Sequence, residues 1–301
     1  MSYPYLSDVV QALTGLALPL PLPMFGLFVA FAMLAGSHAL TLELKRLHAA
    51  GRLSTASGVA PHEIVPNLTL VVMAAGIAGA RLFHILENLD EFRAAPQAMI
   101  FSTSGLSIFG GLILGTLAGV LFVRRHKLPL LPTLDAAAPA MMLGYAIGRI
   151  GCQVSGDGDW GGAANLALKP DWLPLWTWAQ TYDNNVVGAV IAAPGVYPTP
   201  MYEALMAFAC FAVLWALRRH GRAAGWLFSV YMLLAGAERL LIEQIRINPV
   251  FDFGGVRATQ AEMIAAVLIA VGAAGTVLLA GRRGRDGSVS GDKIRGASTG
   301  R

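Results

Sequence analysis

Long apolar stretches separated by short polar connectors run through most of the chain. Seven of these stretches approach the roughly 20 residues that an α-helix needs to cross the hydrocarbon core of a bilayer. They lie at about residues 24–44, 66–87, 99–123, 134–152, 200–217, 225–243 and 260–280. The pattern therefore predicts an all-α protein, a polytopic membrane helical bundle with about seven transmembrane helices.

The third stretch is interrupted by small and polar residues, namely Ser104, Gly105, Gly110 and Gly111. A broken helix at membrane depth survives only where it lies against protein or a water-filled cavity. We therefore expect this break to border a functional site.

The composition supports a membrane protein. Hydrophobic residues make up 55% of the chain and charged residues only 13%, whereas soluble domains carry about 25% charged residues. Although the net charge is +4, the basic residues lie between apolar stretches rather than on one face. No nucleic-acid partner is therefore predicted. The two cysteines, Cys152 and Cys210, are too few for a disulfide framework. No cofactor is predicted.

The basic residues predict the orientation in the membrane. Clusters fall in alternate connectors, at 45–52, 124–127 and 218–222, and again after Arg282. The positive-inside rule places these clusters in the cytoplasm. With an odd number of spans, the N-terminus and a long loop at about 153–198 then lie on the periplasmic side.

The two ends of the chain complete this organisation. The first twenty residues contain no Lys or Arg, so they lack the basic start of a secretory signal peptide and the first helix is expected to remain. Residues 1–283 are predicted to form the transmembrane helical domain. Residues 284–301 are rich in Gly, Ser and Arg and are predicted to form a disordered cytoplasmic tail.

Ionisable residues inside the apolar stretches are candidates for function, because each costs at least a few kcal/mol in a bilayer. Arg81 follows a run of small residues at 76–80 that permits close helix packing, so a structural interhelical bond is an alternative. His84 lies one turn further on and is either a packing residue or a base.

The segment at 144–161 is the richest in possible chemistry. A helix ends there in glycines beside Arg149, Asp157 and Asp159. A guanidinium is always charged and grips phosphate bidentately, so Arg149 is predicted to bind phosphate. The alternative is a structural ion pair between Arg149 and one of the two carboxylates. The Asp-Gly-Asp run lacks the spacing of a calcium loop, and no metal site is predicted.

A second charged group lies at 238–246. Arg239, Glu243 and Arg246 stand at i, i+4 and i+7 and would share one face of a helix. We expect this face to point into the bundle and to meet Arg149 at a common cavity. Glu243 would then orient an arginine without transferring a proton itself.

These segments resemble the prolipoprotein diacylglyceryl transferases, bacterial inner-membrane enzymes that move diacylglycerol from phosphatidylglycerol onto the lipobox cysteine of prolipoproteins. Residues 148–161 are similar to the family's Gly-Arg-(Ile/Leu)-Gly-Asn-Phe-x-Asn-Gly-Glu-x-x-Gly, with one additional residue before the last glycine. Residues 197–203 are similar to its His-Pro-x-x-Leu-Tyr-Glu, and 239–246 to its Arg-Phe-x-x-Glu-x-x-Arg. Residues 79–82 and 104–111 match two further blocks, so the resemblance covers roughly residues 20–280.

The resemblance implies a fold, an activity and a site. The protein would lie in the bacterial inner membrane as a multi-pass protein, with phosphatidylglycerol, other membrane lipids and a prolipoprotein signal peptide with its lipobox as partners. The implied catalytic residues are Arg149, Asp157, Arg239 and Glu243. The implied substrate-binding residues are Arg149, Arg246, Arg81, Gly151, Gly156, Tyr202 and Glu203.

Some positions depart from the family pattern. Phe109 stands where the family carries a histidine proposed as a base, Cys152 replaces an asparagine, Phe25 a tyrosine, and Asp157 a glutamate. The acceptor thiol would then lose its proton to Asp157, Glu243 or His84, or to solvent under the influence of the arginines alone. The alternatives are a related lipid-handling protein with a different acceptor, a non-catalytic lipid-binding protein and a small-anion transporter, although no internal repeat typical of transporters is present.

Overall fold

The computed structural model describes residues 2–19, 21–53, 58–101, 105, 107–253 and 255–281. Within these residues the chain forms ten α-helices: α1 (Leu6–Thr14), α2 (Met24–Ala49), α3 (Val65–Glu87), α4 (Leu89–Ala94), α5 (Pro96–Phe101), α6 (Ile108–Arg125), α7 (Leu130–Ser155), α8 (Thr199–Leu217), α9 (Trp226–Glu243) and α10 (Gln260–Ala280). The predicted all-α membrane bundle is confirmed. The predicted tail at 284–301 lies outside the described residues.

Each predicted span corresponds to a helix, but the helices differ in how apolar they are. Among the described residues, six are long and apolar enough to cross a membrane, namely α2, α3, α6, α7, α8 and α10. The predicted span at 225–243 is also helical, as α9, but it carries Glu238, Arg239 and Glu243 within 18 residues. The protein is therefore a multi-pass membrane protein in which α9 is the most charged of the predicted spans.

The chain divides into two compact units. The first contains Met1–Ala39 and Asp135–Gly284, and the second contains Leu40–Leu134. The boundaries fall within α2 and α7, which are continuous helices.

The core of the first unit forms where α7, α8 and α9 pack together. Its buried residues are Ala138, Met142, Ala146, Ala207, Leu214, Trp226, Leu227 and Val230. Asp135 on α7 accepts hydrogen bonds from the backbone N–H groups of Gly225 and Phe228, at 2.7 and 2.8 Å. These donors lie at the start of α9, where N–H groups lack partners within the helix, so Asp135 fixes α9 against α7.

In the second unit, α3 and α6 pack closely through glycines. A Cβ atom at Gly79 would overlap the carbonyl oxygen of Gly110, and a Cβ at Gly110 would overlap the carbonyl oxygen of Gly79. Small residues allow two backbones to approach in this way. Gly110 and Gly111 therefore lie within α6 as packing residues, and the prediction that they break the helix was wrong.

The long helix of the third predicted span, α6, begins at Ile108, whereas the sequence predicted a start at about residue 99. The apolar run of this span contains the separate helices α5 and α6, with Gly105 and Ser107 in non-helical conformations between them. Gly105 has a φ of +70°, which a residue with a side chain rarely adopts. The predicted interruption at Gly105 is present, and Ser104 lies outside the described residues.

A short hairpin lies between α9 and α10. Strands β1 (Val250–Phe253) and β2 (Val256–Thr259) pair antiparallel, with Val250 opposite Thr259. The all-α prediction did not include it, although two adjacent glycines between residues that favour strands are a hairpin signal.

Candidate functional site

Arg149 lies near the end of α7, where its guanidinium meets groups from three parts of the first unit. It forms ion pairs with Asp159, in the loop after α7, and with Glu203 on α8. Its Nε donates to the Tyr145 hydroxyl at 3.2 Å, and its Nη1 lies 3.7 Å from the Cys152 sulfur. The side chain is only 15% exposed. Arg149 is thus held between a loop carboxylate and a buried carboxylate.

Glu203 is the centre of the charged cluster. Its side chain is fully buried, and Oε1 accepts a hydrogen bond from Arg246 Nη1 at 3.1 Å and lies 3.7 Å from Arg239 Nη1. Its other oxygen pairs with Arg149. A buried carboxylate is tolerated only with such partners. Glu203 therefore gathers three of the four candidate arginines, Arg149, Arg239 and Arg246.

Asp159 bridges two of these arginines. Oδ2 pairs with Arg149 Nη1, and Oδ1 accepts from Arg246 Nη2 at 2.8 Å. Burial alone would raise the pKa of Asp159, but Arg149 and Arg246 outweigh it and hold that pKa below its usual range. Asp159 is therefore an ionised carboxylate whose two oxygens are held by different guanidinium groups.

Arg246 is not on the helix that carries Arg239. The sequence predicted one continuous face for Arg239, Glu243 and Arg246, but α9 ends at Glu243 and Arg246 lies in the turn beyond. Burial lowers the pKa of Arg246, but Asp159 and Glu203 raise it by more than burial lowers it. The pKa of Arg246 therefore lies above its usual value. The charged side chains still meet, because the turn directs Arg246 towards Asp159 and Glu203.

Glu243 positions Arg239. Its Oε2 pairs with Arg239 Nη2 at 2.9 Å, and Oε1 accepts from the Thr259 hydroxyl at 2.6 Å. The Asn248 amide also lies 2.8 and 2.9 Å from the two oxygens. With every oxygen engaged by two donors, Glu243 is suited to orienting Arg239 rather than to accepting a proton.

Tyr145 connects the cluster to a fourth carboxylate. Its hydroxyl lies 3.4 Å from both Glu203 Oε2 and Glu238 Oε1. The Arg149 guanidinium also stands 5.2 Å from the centre of the Tyr145 ring. Glu238 is 5% exposed. Glu238 and Tyr145 thus extend the charged cluster towards the core.

The loop after α7 is held against α8 and against the turn after α9. The Thr199 hydroxyl donates to the Asp159 carbonyl at 2.7 Å, and the Gly162 N–H donates to the Ile245 carbonyl at 2.8 Å. A Cβ atom at Gly161 would come 2.6 Å from the Ile245 carbonyl oxygen. Gly161 therefore permits the close approach that brings Asp159 and Arg246 together.

Asp157 lies beside this network and is joined to it through the backbone of Asp159. Its Oδ1 accepts from the Asp159 N–H at 3.2 Å. Its carboxylate, the Asp159 carboxylate and the Cys152 sulfur lie within 4.8 Å of one another. Arg149 contacts two of these three groups and so supplies a fixed cation to them.

The remaining predicted residues have several locations. Gly151 packs against Phe28 and Phe25, so it allows α2 to approach α7. Gly156, with a φ of +62°, ends α7. Tyr202 donates to the Thr177 carbonyl at 2.6 Å and holds the loop before α8.

Arg81 lies in the second unit, where it donates to the carbonyl oxygens of Met99 and Gly105 at 3.0 and 3.1 Å. Phe109 lies in the same unit and is 40% exposed. His84 packs against Gly105, and its Nδ1 lies 3.3 Å from the Asn88 amide. Arg81 and His84 thus both contact Gly105, in the segment between α5 and α6.

No site role was predicted from the sequence for Asp159, Glu238, Asn248 and Thr259. Asp159 was named only as a possible structural partner of Arg149, since the resemblance assigned the family's carboxylate to Asp157. Comparison with the family pattern cannot decide whether Asp157 or Asp159 corresponds to the family's carboxylate, because only one glycine separates them. The buried position of Glu238 was indicated by its place in an apolar stretch, whereas Asn248 and Thr259 carried no signal.

A cavity of about 640 Å³ lies beside the end of α7. It is lined by Tyr3, Gln153, Val154, Leu175, Trp176, Ala179, Gln180, Thr181 and Pro194. The Gln153 amide donates to Gln180 Oε1 at 2.8 Å, and the buried Tyr182 hydroxyl donates to Gln153 Oε1 at 2.8 Å. The lining therefore includes two amide and two aromatic side chains, and Gln153 lies one helical turn beyond Arg149.

Fold and site together define a multi-pass membrane protein with a buried cluster of arginines and carboxylates beside a loop. A family model for prolipoprotein diacylglyceryl transferase matches residues 12–278, and the chain belongs to this family. A phosphatidylglycerol–prolipoprotein diacylglyceryl transferase of Leptospira interrogans is 29% identical over 256 residues, covering 74% of this chain and 71% of the relative. Proteins of the same name from Bacillus cereus and Corynebacterium glutamicum are 28% and 32% identical, over 84% and 65% of this chain and 87% and 63% of the relatives.

Proposed function

We propose that this chain transfers a diacylglyceryl group from phosphatidylglycerol to the lipobox cysteine of a prolipoprotein. The observation that carries the proposal is the meeting of Arg149, Arg239 and Arg246 around Glu203, in a chain of this family. Guanidinium groups are well suited to phosphodiesters, because their planar donors match two phosphate oxygens.

In the proposed reaction, the acceptor thiolate attacks the glyceryl carbon that bears the phosphate. A carbon–sulfur bond forms, the carbon–oxygen bond to phosphate breaks, and glycerol phosphate leaves with the electron pair. Arg149 and Arg246 would hold the phosphate and stabilise the charge that grows on the leaving oxygen. Arg239, held by Glu243, would add to the positive field.

The thiol proton goes to Asp157 in this proposal. Glu243 is engaged by Arg239, Asn248 and Thr259, whereas Asp157 is half-buried at the edge of the cluster and accepts one backbone hydrogen bond. A carboxylate oxygen without a guanidinium partner of its own can serve as the general base for an approaching thiol.

We place the prolipoprotein at the periplasmic side of the inner membrane, and the C-terminus in the cytoplasm. The distribution of basic residues supports this orientation. The cavity beside α7 is our proposed site for the lipobox segment, because Gln153 and Gln180 line it. Each amide has a second N–H and further acceptor capacity, beyond the bond that joins the two, for an extended peptide backbone.

The test is a direct assay with the purified chain, radiolabelled phosphatidylglycerol and a lipobox peptide. Label on the peptide cysteine is expected, and a Cys→Ser peptide is the matched control. Label on another acceptor would indicate a different transfer reaction. Binding of the lipid without transfer would favour a non-catalytic lipid-binding protein, the alternative suggested by Phe109 in the position of the family's histidine.

A further inference from the structure

Asp159 differs from the other carboxylates that pair with the arginines. Its side chain is 34% exposed, whereas those of Glu203 and Glu243 are buried. An ion pair that water reaches is weaker than a buried one and can be exchanged for another anion. Asp159 is thus the most replaceable of these partners.

The way in which Asp159 is bound resembles the binding of a phosphodiester. Each of its two oxygens is held by a different guanidinium, Oδ2 by Arg149 and Oδ1 by Arg246. Two unesterified oxygens of a phosphodiester present the same pair of acceptors to the same donors. A lipid phosphate at these two arginines would therefore compete with the Asp159 carboxylate for one set of donors.

The backbone around Asp159 is anchored by hydrogen bonds that do not involve its carboxylate. The Asp159 carbonyl accepts from Thr199, and its N–H donates to Asp157. Release of the two arginines therefore needs only rotation of the short Asp159 side chain, with no movement of the loop.

We infer that the Asp159 carboxylate is an internal occupant of the phosphate site. It neutralises Arg149 and Arg246 when no lipid is bound, turns aside when a lipid phosphodiester enters, and returns to displace the glycerol phosphate product. This inference rests on the proposed function for the identity of the lipid. Competition between the Asp159 carboxylate and a phosphate for Arg149 and Arg246 does not depend on which lipid carries the phosphate.

The experiment measures binding of glycerol phosphate to the purified full chain, and the KM for phosphatidylglycerol, in wild type, Asp159→Asn and Asp159→Ala. Removing the competing charge is expected to tighten glycerol phosphate binding by about tenfold or more. It should also lower KM and strengthen inhibition by the product. The exposed Asp183 of the same loop provides the matched control, and Asp183→Asn should bind as wild type does.

Equal or weaker binding by a folded Asp159→Asn protein would overturn the inference, and so would failure of both Asp159 variants to fold while Asp183→Asn folds. In variants that still transfer lipid, tighter binding of glycerol phosphate without any change in the KM for phosphatidylglycerol would also overturn it, since the lipid would not be a competing anion. If wild type and variants transfer no lipid but glycerol phosphate binding tightens, the proposed function fails and the competition stands.

Discussion

Arg149 meets its carboxylate partners with different nitrogens, Nη1 towards Asp159 and Nε towards Glu203. A lysine keeps the charge but has one nitrogen and no planar fork. We expect Arg149→Lys to lose most lipid transfer while the yield of folded protein stays near that of wild type. Transfer and yield after detergent extraction are the measurements, with Arg149→Ala alongside. Full phosphatidylglycerol binding by Arg149→Ala would contradict the phosphate role of this residue.

Glu203 is the residue whose loss should cost most stability. Replacing it with glutamine leaves Arg149, Arg239 and Arg246 around a neutral side chain in a buried position. Removing one partner of a buried ion pair costs roughly 3–5 kcal/mol. Thermal unfolding in detergent should show a large loss for Glu203→Gln and little change for the exposed Glu91→Gln. A Glu203→Gln protein as stable as wild type would mean that the cluster does not contribute to folding.

The ionisation of Asp159 determines the direction in which its contribution to folding stability changes with pH. Although burial favours the neutral acid, the arginines hold the pKa of Asp159 below its unfolded value, which is about 3.9. Its contribution to stability is complete above that value and is lost as pH falls through the depressed pKa. The stability difference between wild type and Asp159→Asn should therefore stay constant from about pH 8 to 5 and shrink below about pH 4. A difference that changes near neutral pH would contradict this assignment.

At the scale of elements, the approach of the loop to the turn after α9 depends on one glycine. A Cβ at Gly161 would lie 2.6 Å from the Ile245 carbonyl oxygen and 2.8 Å from Thr199 Cγ2. At the neighbouring Gly162 a Cβ would meet its nearest atoms at 3.7 Å or more, which is ordinary contact. Gly161→Ala should reduce both transfer and thermal stability, while Gly162→Ala should retain both. Equal behaviour of the two variants would show that the loop is not held as described.

The helices were predictable because an apolar run of sufficient length has few alternatives in a bilayer. The ends of the helices were less predictable. Helix α9 ends at Glu243 because the next residues turn to meet the loop at Gly162. No local sequence pattern encodes such a tertiary contact. The hairpin at 250–259 is too short to stand out beside a transmembrane helix.

The candidate site was predicted in part. Arg149 and Arg239 were indicated because an arginine in an apolar stretch needs an internal partner, and Arg246 was indicated by its spacing from Arg239 and Glu243. The choice between Asp157 and Asp159 could not be made, because a glycine-rich loop has no periodicity that relates sequence position to direction. In the structure Asp159 pairs with Arg149 and Arg246, and the Thr199 and Asp157 hydrogen bonds fix its backbone.

At the scale of the whole molecule, the proposed orientation can be tested by cysteine accessibility. Val190 in the loop before α8 is 99% exposed, and Arg222 between α8 and α9 is exposed. A membrane-impermeant thiol reagent added to intact cells should label Val190→Cys and leave Arg222→Cys unlabelled, as expected from the positive-inside rule. The parent chain, with its buried Cys152 and half-buried Cys210, gives the background. Labelling of Arg222→Cys from outside would reverse the orientation.

The charges on α9 have a consequence for the way in which the protein is made. Charged side chains inside a membrane helix are costly, and α9 carries Glu238, Arg239 and Glu243 in its last six residues. It therefore enters the membrane by itself less readily than the six helices that are apolar enough to span. Its partners Tyr145 and Glu203 lie on α7 and α8, which leave the ribosome earlier. We expect α9 to wait at the translocon until α7 and α8 are available to receive it, so that synthesis order and charge pairing together determine when the arginine cluster first forms.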